Sequence, residues 1–306
     1  MTILEAKIYA RAELSASSPS PELDAEVLLM YVTGFDRTQL LFGRDSLLAA
    51  GQEQALASCL AQRKKGLPVA YITGRKEFFG YDFLVTQDVL IPKPDTELLV
   101  ENALELIKIK AAERHDRVLT ICDMCTGSGC AGLSVLKACM EEQLVPPAYT
   151  PALTMVDISS RALDVAKRNA ERLLAPWLRQ KLSFVQSNLF HNLGGSFDII
   201  LANPPYIPAA QTIELLRDGR GEPVLALNGD VDMYGNLTSE GDGLGIMRNL
   251  VPQAFVHLAP RGVLVVEAGE YNAEETERLF LAAGFKDTCI LKDLSGQLRD
   301  VRGWKG

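Results

Sequence analysis

The sequence has little of what a membrane or secreted protein needs. No apolar run approaches the roughly 18–20 residues of a bilayer span. The opening stretch, MTILEAKIYARAELSAS, has neither an apolar h-region nor a cleavage site. Cysteine is sparse: six residues in 306, four of them between Cys122 and Cys139, unlike the short, cysteine-dense chains of disulfide scaffolds. No His and no second Cys-x-x-Cys stands near Cys122 and Cys125 to complete a zinc site, so no metal is expected. Basic charge is short as well. Lys and Arg number 31 against 39 Asp and Glu, a net charge of -8, which argues against a stable nucleic-acid partner while leaving room for a local basic groove. A reduced, cytoplasmic protein without membrane attachment is expected, and a monomer.

What is present suffices for an ordinary core: 47% of residues are hydrophobic. At about 150 residues per domain the length suggests two domains. Residues 1–75 read as helical. Ile3, Leu4, Ile8, Tyr9 and Ala12 recur at helical spacing, and Ser20-Pro21 opens a second stripe of Leu23, Val27, Leu28 and Tyr31 that ends at Gly34. A third helix carries Leu56, Cys59 and Leu60. This segment has no glycine loop and no acid–base cluster, which fits recognition rather than chemistry. Residues 76–92 alternate as two strands about Gly80, a β-hairpin linker. Residues 93–306 follow as a catalytic domain. There the prolines of Leu90-Ile-Pro-Lys-Pro-Asp-Thr-Glu97 forbid regular structure, and Asp95 is expected to cap the next helix. Beyond residue 117, apolar strands at Val118–Cys122, Leu153–Val156, Leu182–Val185, Phe197–Ala202 and Val263–Val266 alternate with helices. That pattern predicts a doubly wound α/β sheet, mostly parallel, with Asp287–Leu291 and Val301-Arg302 as an antiparallel hairpin at one edge. The glycine-rich stretch Asn228–Gly243 reads as a mobile loop.

Three sites carry chemistry. Asp123-Met-Cys-Thr-Gly-Ser-Gly129 leaves an apolar strand and opens a helix, where α/β folds bind ligands. Asp157, ending the next strand, offers a carboxylate to both hydroxyls of a ribose. No Gly-Lys-Ser/Thr follows the glycines, and the third glycine of a dinucleotide fingerprint is missing, so a cofactor without phosphate is preferred. S-adenosyl-L-methionine is such a cofactor. Asn188, after the third strand, can accept a hydrogen bond from an adenine amino group. The sharpest signal is Asn203-Pro204-Pro205-Tyr206, directly after a buried strand. Two prolines fix the backbone, so that the Asn203 side-chain oxygen and the Pro204 carbonyl can face one point and hold a planar NH2 group, with Tyr206 stacked on it. Amide and exocyclic amine nitrogens are poor nucleophiles, and orienting them toward a methyl sulfonium is the catalytic task.

Together the glycine motif, Asp157 and Asn203–Tyr206 resemble a class I S-adenosylmethionine-dependent amino-methyltransferase. The Leu90–Glu97 segment, the N-terminal helices, Gly221-Glu222-Pro223 and Asp293-Leu-Ser-Gly296 narrow the resemblance to the HemK/PrmC family. It implies a seven-stranded sheet, a small N-terminal helical domain joined by a β-hairpin, and methylation of the glutamine side-chain amide in the Gly-Gly-Gln motif of peptide chain release factors, with S-adenosyl-L-homocysteine as product. It places Asp123 among the cofactor-binding residues, Cys125, Thr126, Gly127, Ser128 and Gly129 at the methionine end of the cofactor, Asp157 at the ribose, Asn188 and Leu189 at the adenine, and Asn203, Pro204, Pro205 and Tyr206 at the substrate glutamine. Asn203 also stands near the methyl, and Asn203 and Tyr206 are the catalytic pair. Cys125 stands where the family often has glycine and Asn188 where it often has Asp. The Asn228–Gly243 stretch looks longer than the family's usual connection. The alternative acceptor is an exocyclic amine of RNA or DNA, flipped onto Tyr206.

Overall fold

Phe197–Ala202 is buried at every position, as a parallel strand is when helices cover both of its faces. It is the central strand of the larger of two units in the computed structural model, which describes residues 1–113, 117–219, 221–232 and 234–306. The first unit comprises Met1–Arg75 with Glu214–Gly221, the second Lys76–Ile213 with Glu222–Gly306.

A two-stranded hairpin is formed by β1 (Arg75–Phe78) and β2 (Tyr81–Leu84). The main sheet holds β3 (Thr120–Met124), β4 (Ala152–Asp157), β5 (Leu182–Gln186), β6 (Phe197–Ala202), β7 (Leu258–Glu267), β8 (Lys286–Lys292) and β9 (Leu298–Trp304), in the order β5-β4-β3-β6-β7-β9-β8. The neighbours from β5 to β7 pair parallel, and β9 pairs antiparallel with both β7 and β8. The expected antiparallel hairpin at one edge is therefore present.

Alternation along the strands divides the core. Ile121, Met155, Leu201 and Val265 face one layer with helices Glu97–Glu113, Cys130–Glu141 and Ser160–Leu173. Cys122, Met124, Ile200 and Val266 face the other, with helices Gly245–His257 and Ala273–Ala283. The chain steps outward from β3 to β5, then returns to place β6 on the other side of β3. Loops leaving β3 and β6 thus diverge, and the crevice between them is the topological switch point where such sheets bind ligands.

Two sequence expectations are corrected here. Asp95 caps no α-helix; it lies in a 3₁₀ turn, Pro94–Thr96, that leads into the helix starting at Glu97. Prolines 92 and 94 fix that turn, and its Arg299 neighbour, 3.2 Å from Asp95, takes the carboxylate. In the first unit, the inward face of the first helix (Ile3–Leu14) is Ile3, Ala6, Ala10 and Leu14, while Leu4, Ile8 and Tyr9 are exposed. The two alanines, lacking bulk, allow the second helix (Pro21–Thr33) to pack close. That helix turns Asp24 and Glu26 inward, leaving Leu23 and Tyr31 exposed, because Arg63 sits 2.7 Å from Asp24 and Lys7 2.7 Å from Glu26. Buried acids with such partners compete successfully with apolar residues for a helix face.

Candidate active site

The glycine turn is built by two carboxylates. Asp123, at the end of β3, is 2% exposed, and its Oδ2 accepts from the Thr126 hydroxyl and from Gly132 N at 3.1 Å. Asp157, at the end of β4, accepts from Gly127 N and Ser159 N, each at 2.9 Å, one on each oxygen. The turn is thereby locked to the neighbouring strand, and each Asp157 oxygen retains acceptor capacity. A buried Asn that sequence reading passed over completes the brace. Asn169, fully buried, donates to Leu84 O and Ser128 O and accepts from Leu84 N at 2.7 Å.

The described residues that line the cleft above this turn all belong to the second unit. Asp123, Cys125, Thr126, Gly127, Ser128, Asp157, Asn188, Leu189, Asn203 and Pro205 border it, as the sequence expected. So do residues that it did not single out: Asp88, Val89, Leu90 and Thr96 from the hairpin exit and proline segment, Ile158, Leu225, and Val231 with Tyr234 from the glycine-rich stretch. Its walls suit a purine nucleoside with an amino-acid tail. The flanks are apolar, the carboxylate of Asp157 faces in, and a Cβ at Gly127 would meet nothing within 4 Å, so a ligand can approach the backbone there.

Three expected residues do not border the cleft. Gly129 stands behind it at φ +82°, where a Cβ would fall 2.8 Å from Met155 Cε, 3.0 Å from Leu133 Cδ1 and 3.2 Å from Ala166 Cβ. Its role is packing. The left-handed backbone costs an L-residue about 1–2 kcal/mol and overpacking about 1–3 kcal/mol. Gly129→Ala is therefore expected to lose about 2–5 kcal/mol of stability, read as a fall in the urea midpoint at unchanged slope. Pro204 is buried. Tyr206 is anchored rather than offered: its hydroxyl donates to Glu267 Oε1 at 3.2 Å, and its carbonyl accepts from Asn272 Nδ2 at 3.1 Å and the Tyr271 hydroxyl at 3.2 Å.

The glycine-rich stretch read as a mobile loop is tied to this same turn. Asp230, 1% exposed, accepts from Ala209 N at 2.8 Å and Gly243 N at 2.6 Å. Ile207 N donates to Leu227 O and Gly229 N to Ile207 O. Gly229 and Gly243 are required by contact: a Cβ on Gly243 would lie 2.1 Å from Tyr206 O. Polar and glycine-rich composition resembles a loop, whereas here it serves close backbone packing; Met233, within the stretch, lies outside the described residues.

Beneath the cleft, Asn203 Nδ2 donates to Thr96 Oγ1 at 3.0 Å. Amide geometry then directs the Asn203 Oδ1 away from Thr96. Lys93 and Glu222 pair at 2.7 Å, joining the proline segment to the Gly221-Glu222-Pro223 motif. The thiols here are inert by environment: burial pushes Cys125 well up and Cys130 up to about 12. Cys125 also adopts φ +61°, a conformation that favours glycine. Among the described residues no group of His, Cys, Asp and Glu is arranged to hold a metal.

Burial raises Asp123 from 3.8 to about 6, with its Thr126 and Gly132 hydrogen bonds opposing. A raised carboxyl makes the folded state bind the extra proton, so its contribution is full below about pH 4 and is lost as pH rises through about 6. Asp123→Asn is expected to flatten that limb of the stability–pH curve by about 3 kcal/mol, measured by urea unfolding at pH 4 and pH 7.

Residues 5–74 match the PrmC N-terminal domain family and residues 96–218 the methyltransferase small domain family. A release factor glutamine methyltransferase from Burkholderia pseudomallei is 38% identical, covering 93% of this chain and 92% of that protein. One from Bradyrhizobium diazoefficiens is 38% identical over 95% of this chain and 90% of its own length. Among solved structures, the catalytic domain of hMettl16 in complex with the MAT2A 3′UTR hairpin 6 superposes with TM-score 0.51 at 16% identity, covering 87% of this chain and 85% of that one, a likeness of fold. No described helix is long and apolar enough to cross a membrane.

Proposed function

The chain belongs to the release factor glutamine methyltransferase family, and from that membership we propose that it methylates the side-chain amide nitrogen of the glutamine in the Gly-Gly-Gln motif of peptide chain release factors. The methyl donor is S-adenosyl-L-methionine, which supplies an electrophilic methyl group on a sulfonium.

Asp157, its oxygens already oriented by Gly127 N and Ser159 N, would accept the ribose hydroxyls. Asn188 and Leu189, which border the cleft, would flank the adenine, and the turn from Cys125 to Ser128 would hold the methionine end. Asn203 presents Oδ1 to a hydrogen of the substrate carboxamide, while Pro204 and Pro205 fix the backbone that carries it. An amide nitrogen has a delocalised lone pair. Holding one of its hydrogens at the Asn203 oxygen orients the nitrogen toward the methyl group and stabilises positive charge as it grows on nitrogen. No strong base is needed beforehand, because the methylated nitrogen is acidic and loses its proton afterwards. Tyr206 acts by anchoring the turn through Glu267. No described residue of the helical unit lines the cleft, and we assign that unit to recognition of the intact release factor, in the cytoplasm.

The observation that carries this reading is the Asn203 side chain, which borders the cleft directly after β6 with its amide nitrogen donating to Thr96, beside the turn that Asp157 braces. It is tested by offering labelled cofactor with purified release factor and, separately, with total RNA. Label in the release factor is expected; label in RNA alone would establish the base-amine alternative instead.

A further inference from the structure

We propose that Tyr234, at the tip of a hairpin within the glycine-rich stretch, is a specificity-determining residue: its ring packs against the Gly-Gly backbone beside the target glutamine. The proposal rests on the assignment of a Gly-Gly-Gln segment to this cleft.

The sequence expected Tyr206 to supply an aromatic face to the acceptor. In the structure its hydroxyl is held by Glu267 at 3.2 Å, and it does not border the cleft. Among the described residues that do border it, Tyr234 is the one aromatic side chain. Tyr234 is 80% exposed, so its ring stands at the solvent edge of the cleft, whereas Asn203 is partly buried.

A hydrogen-bonded hairpin holds the ring there. Val231 bridges Leu237 antiparallel, Thr238 N donates to Asp230 O at 3.0 Å, and Asp232 N to Asn236 O at 2.9 Å. Asp232 Oδ1 then accepts from Tyr234 N at 2.8 Å and from Asn236 N at 2.9 Å. Gly235 follows at φ +83°, the left-handed turn that glycine permits. A tip braced in this way is ordered before substrate arrives, so binding against it costs little further entropy. A tyrosine ring with two side-chain torsions adds contact area at the same low cost.

The base of the hairpin lies on the acceptor loop. Ile207 N donates to Leu227 O, Gly229 N to Ile207 O, and Ala209 N to Asp230 at 2.8 Å. A Cβ on Gly243 would fall 2.1 Å from Tyr206 O. The loop that carries Asn203 and the hairpin that carries Tyr234 are thus packed directly on one another. The turn assigned to the cofactor is braced instead by Asp123, Asp157 and Asn169. This attachment assigns the ring to the acceptor and not to S-adenosyl-L-methionine.

A glutamine whose carboxamide reaches Asn203 leaves its backbone at the mouth of the cleft. The two residues before it carry no side chain, so their flat peptide groups can lie on the face of a ring. A Cβ at either position would stand between ring and peptide plane and lift the segment away. Leu225, 51% exposed, also borders the cleft and adds an apolar surface for the same segment.

The experiment measures methylation of purified release factor by wild type, Tyr234→Ala and Tyr234→Phe, with S-adenosyl-L-methionine binding by calorimetry. Tyr234→Ala is expected to raise KM for release factor about tenfold with kcat and cofactor affinity nearly unchanged, as when ground-state binding is lost. Tyr234→Phe keeps the ring face and should stay near wild type. In a second arm the release factor carries Gly-Ala-Gln in place of Gly-Gly-Gln. Wild type should prefer Gly-Gly-Gln by kcat/KM, and Tyr234→Ala should narrow that preference. An unchanged KM in Tyr234→Ala, a loss of cofactor affinity in place of the rise in KM, a Phe variant as impaired as Ala, or the same preference in Tyr234→Ala as in wild type would overturn the proposal. The wild-type protein separates the two levels. If it leaves release factor unmethylated, the functional reading fails; if it is active and Tyr234→Ala matches it, only the role of Tyr234 fails.

Discussion

Asn203→Ala is expected to lower kcat for release factor methylation by about 10²–10³-fold, the usual loss when one preorganised partner of developing charge is removed. Asn203 Oδ1 is a side-chain acceptor at a point where the backbone is fixed by Pro204 and Pro205, and its Nδ2 is already taken by Thr96. Alanine deletes the acceptor and leaves water or nothing to align the substrate nitrogen. Cofactor binding should be nearly unaffected, because Asp157 and the glycine turn are braced by their own hydrogen bonds and not by Asn203. Single-turnover methylation at saturating cofactor, with calorimetry on the same preparation, separates the two effects. A turnover near wild type would remove Asn203 from the chemistry.

The second large effect is on affinity. Asp157→Ala should weaken S-adenosyl-L-methionine binding about 10–100-fold, corresponding to the roughly 1.5–3 kcal/mol of hydrogen bonds to a charged group. The substitution removes the proposed ribose acceptor and also frees Gly127 N and Ser159 N, which the carboxylate holds at 2.9 Å each. Asp157→Asn keeps one acceptor and should lose less. The acid is costly to bury, and burial is the largest cause of its raised pKa, with the Ser159 and Gly127 amides opposing. A site that bears that cost without a ligand to meet it would be unusual. Equal affinity in Asp157→Ala and wild type by calorimetry would show that the ribose binds elsewhere.

Most of the sheet was legible because its strands are continuous apolar runs. Phe197–Ala202 matches its expected bounds to the residue, and the glycine turn and Asp157 fall at strand ends as a doubly wound fold demands. The helical unit was legible in element type but not in facing. Small alanines at 6 and 10 and paired acids at 24 and 26 occupy the inside, while larger apolar side chains face out. Periodicity counts hydrophobicity, and it is blind to an ion pair formed with Arg63, far along the chain. The same limit hid the polar groups beneath the cleft. Thr96, Asn169 and Glu267 act through partners more than 80 residues away, Asn203 on Thr96, Leu84 on Asn169 and Tyr206 on Glu267, except for the last pair at 61. Glu267 did leave a trace, as a carboxylate directly following the apolar Val263–Val266. Gly129 shows the converse: the motif marked it as a ligand contact, and three side chains packed on it show why only glycine fits. For Tyr206, the sequence spoke for the ring, and only the fold could reveal the buried acceptor waiting for its hydroxyl.

The central claim is that Asn203–Tyr206 presents a carboxamide nitrogen, and no other acceptor, to the methyl group. It is tested most directly by mapping the modified residue: release factor is incubated with the wild-type protein and cofactor, digested, and the methylated peptide is fragmented by mass spectrometry. A single methyl group on the side-chain nitrogen of the glutamine in Gly-Gly-Gln is expected. A methyl group on any other side chain, or an unmodified release factor beside methylated nucleic acid in the same mixture, would contradict it.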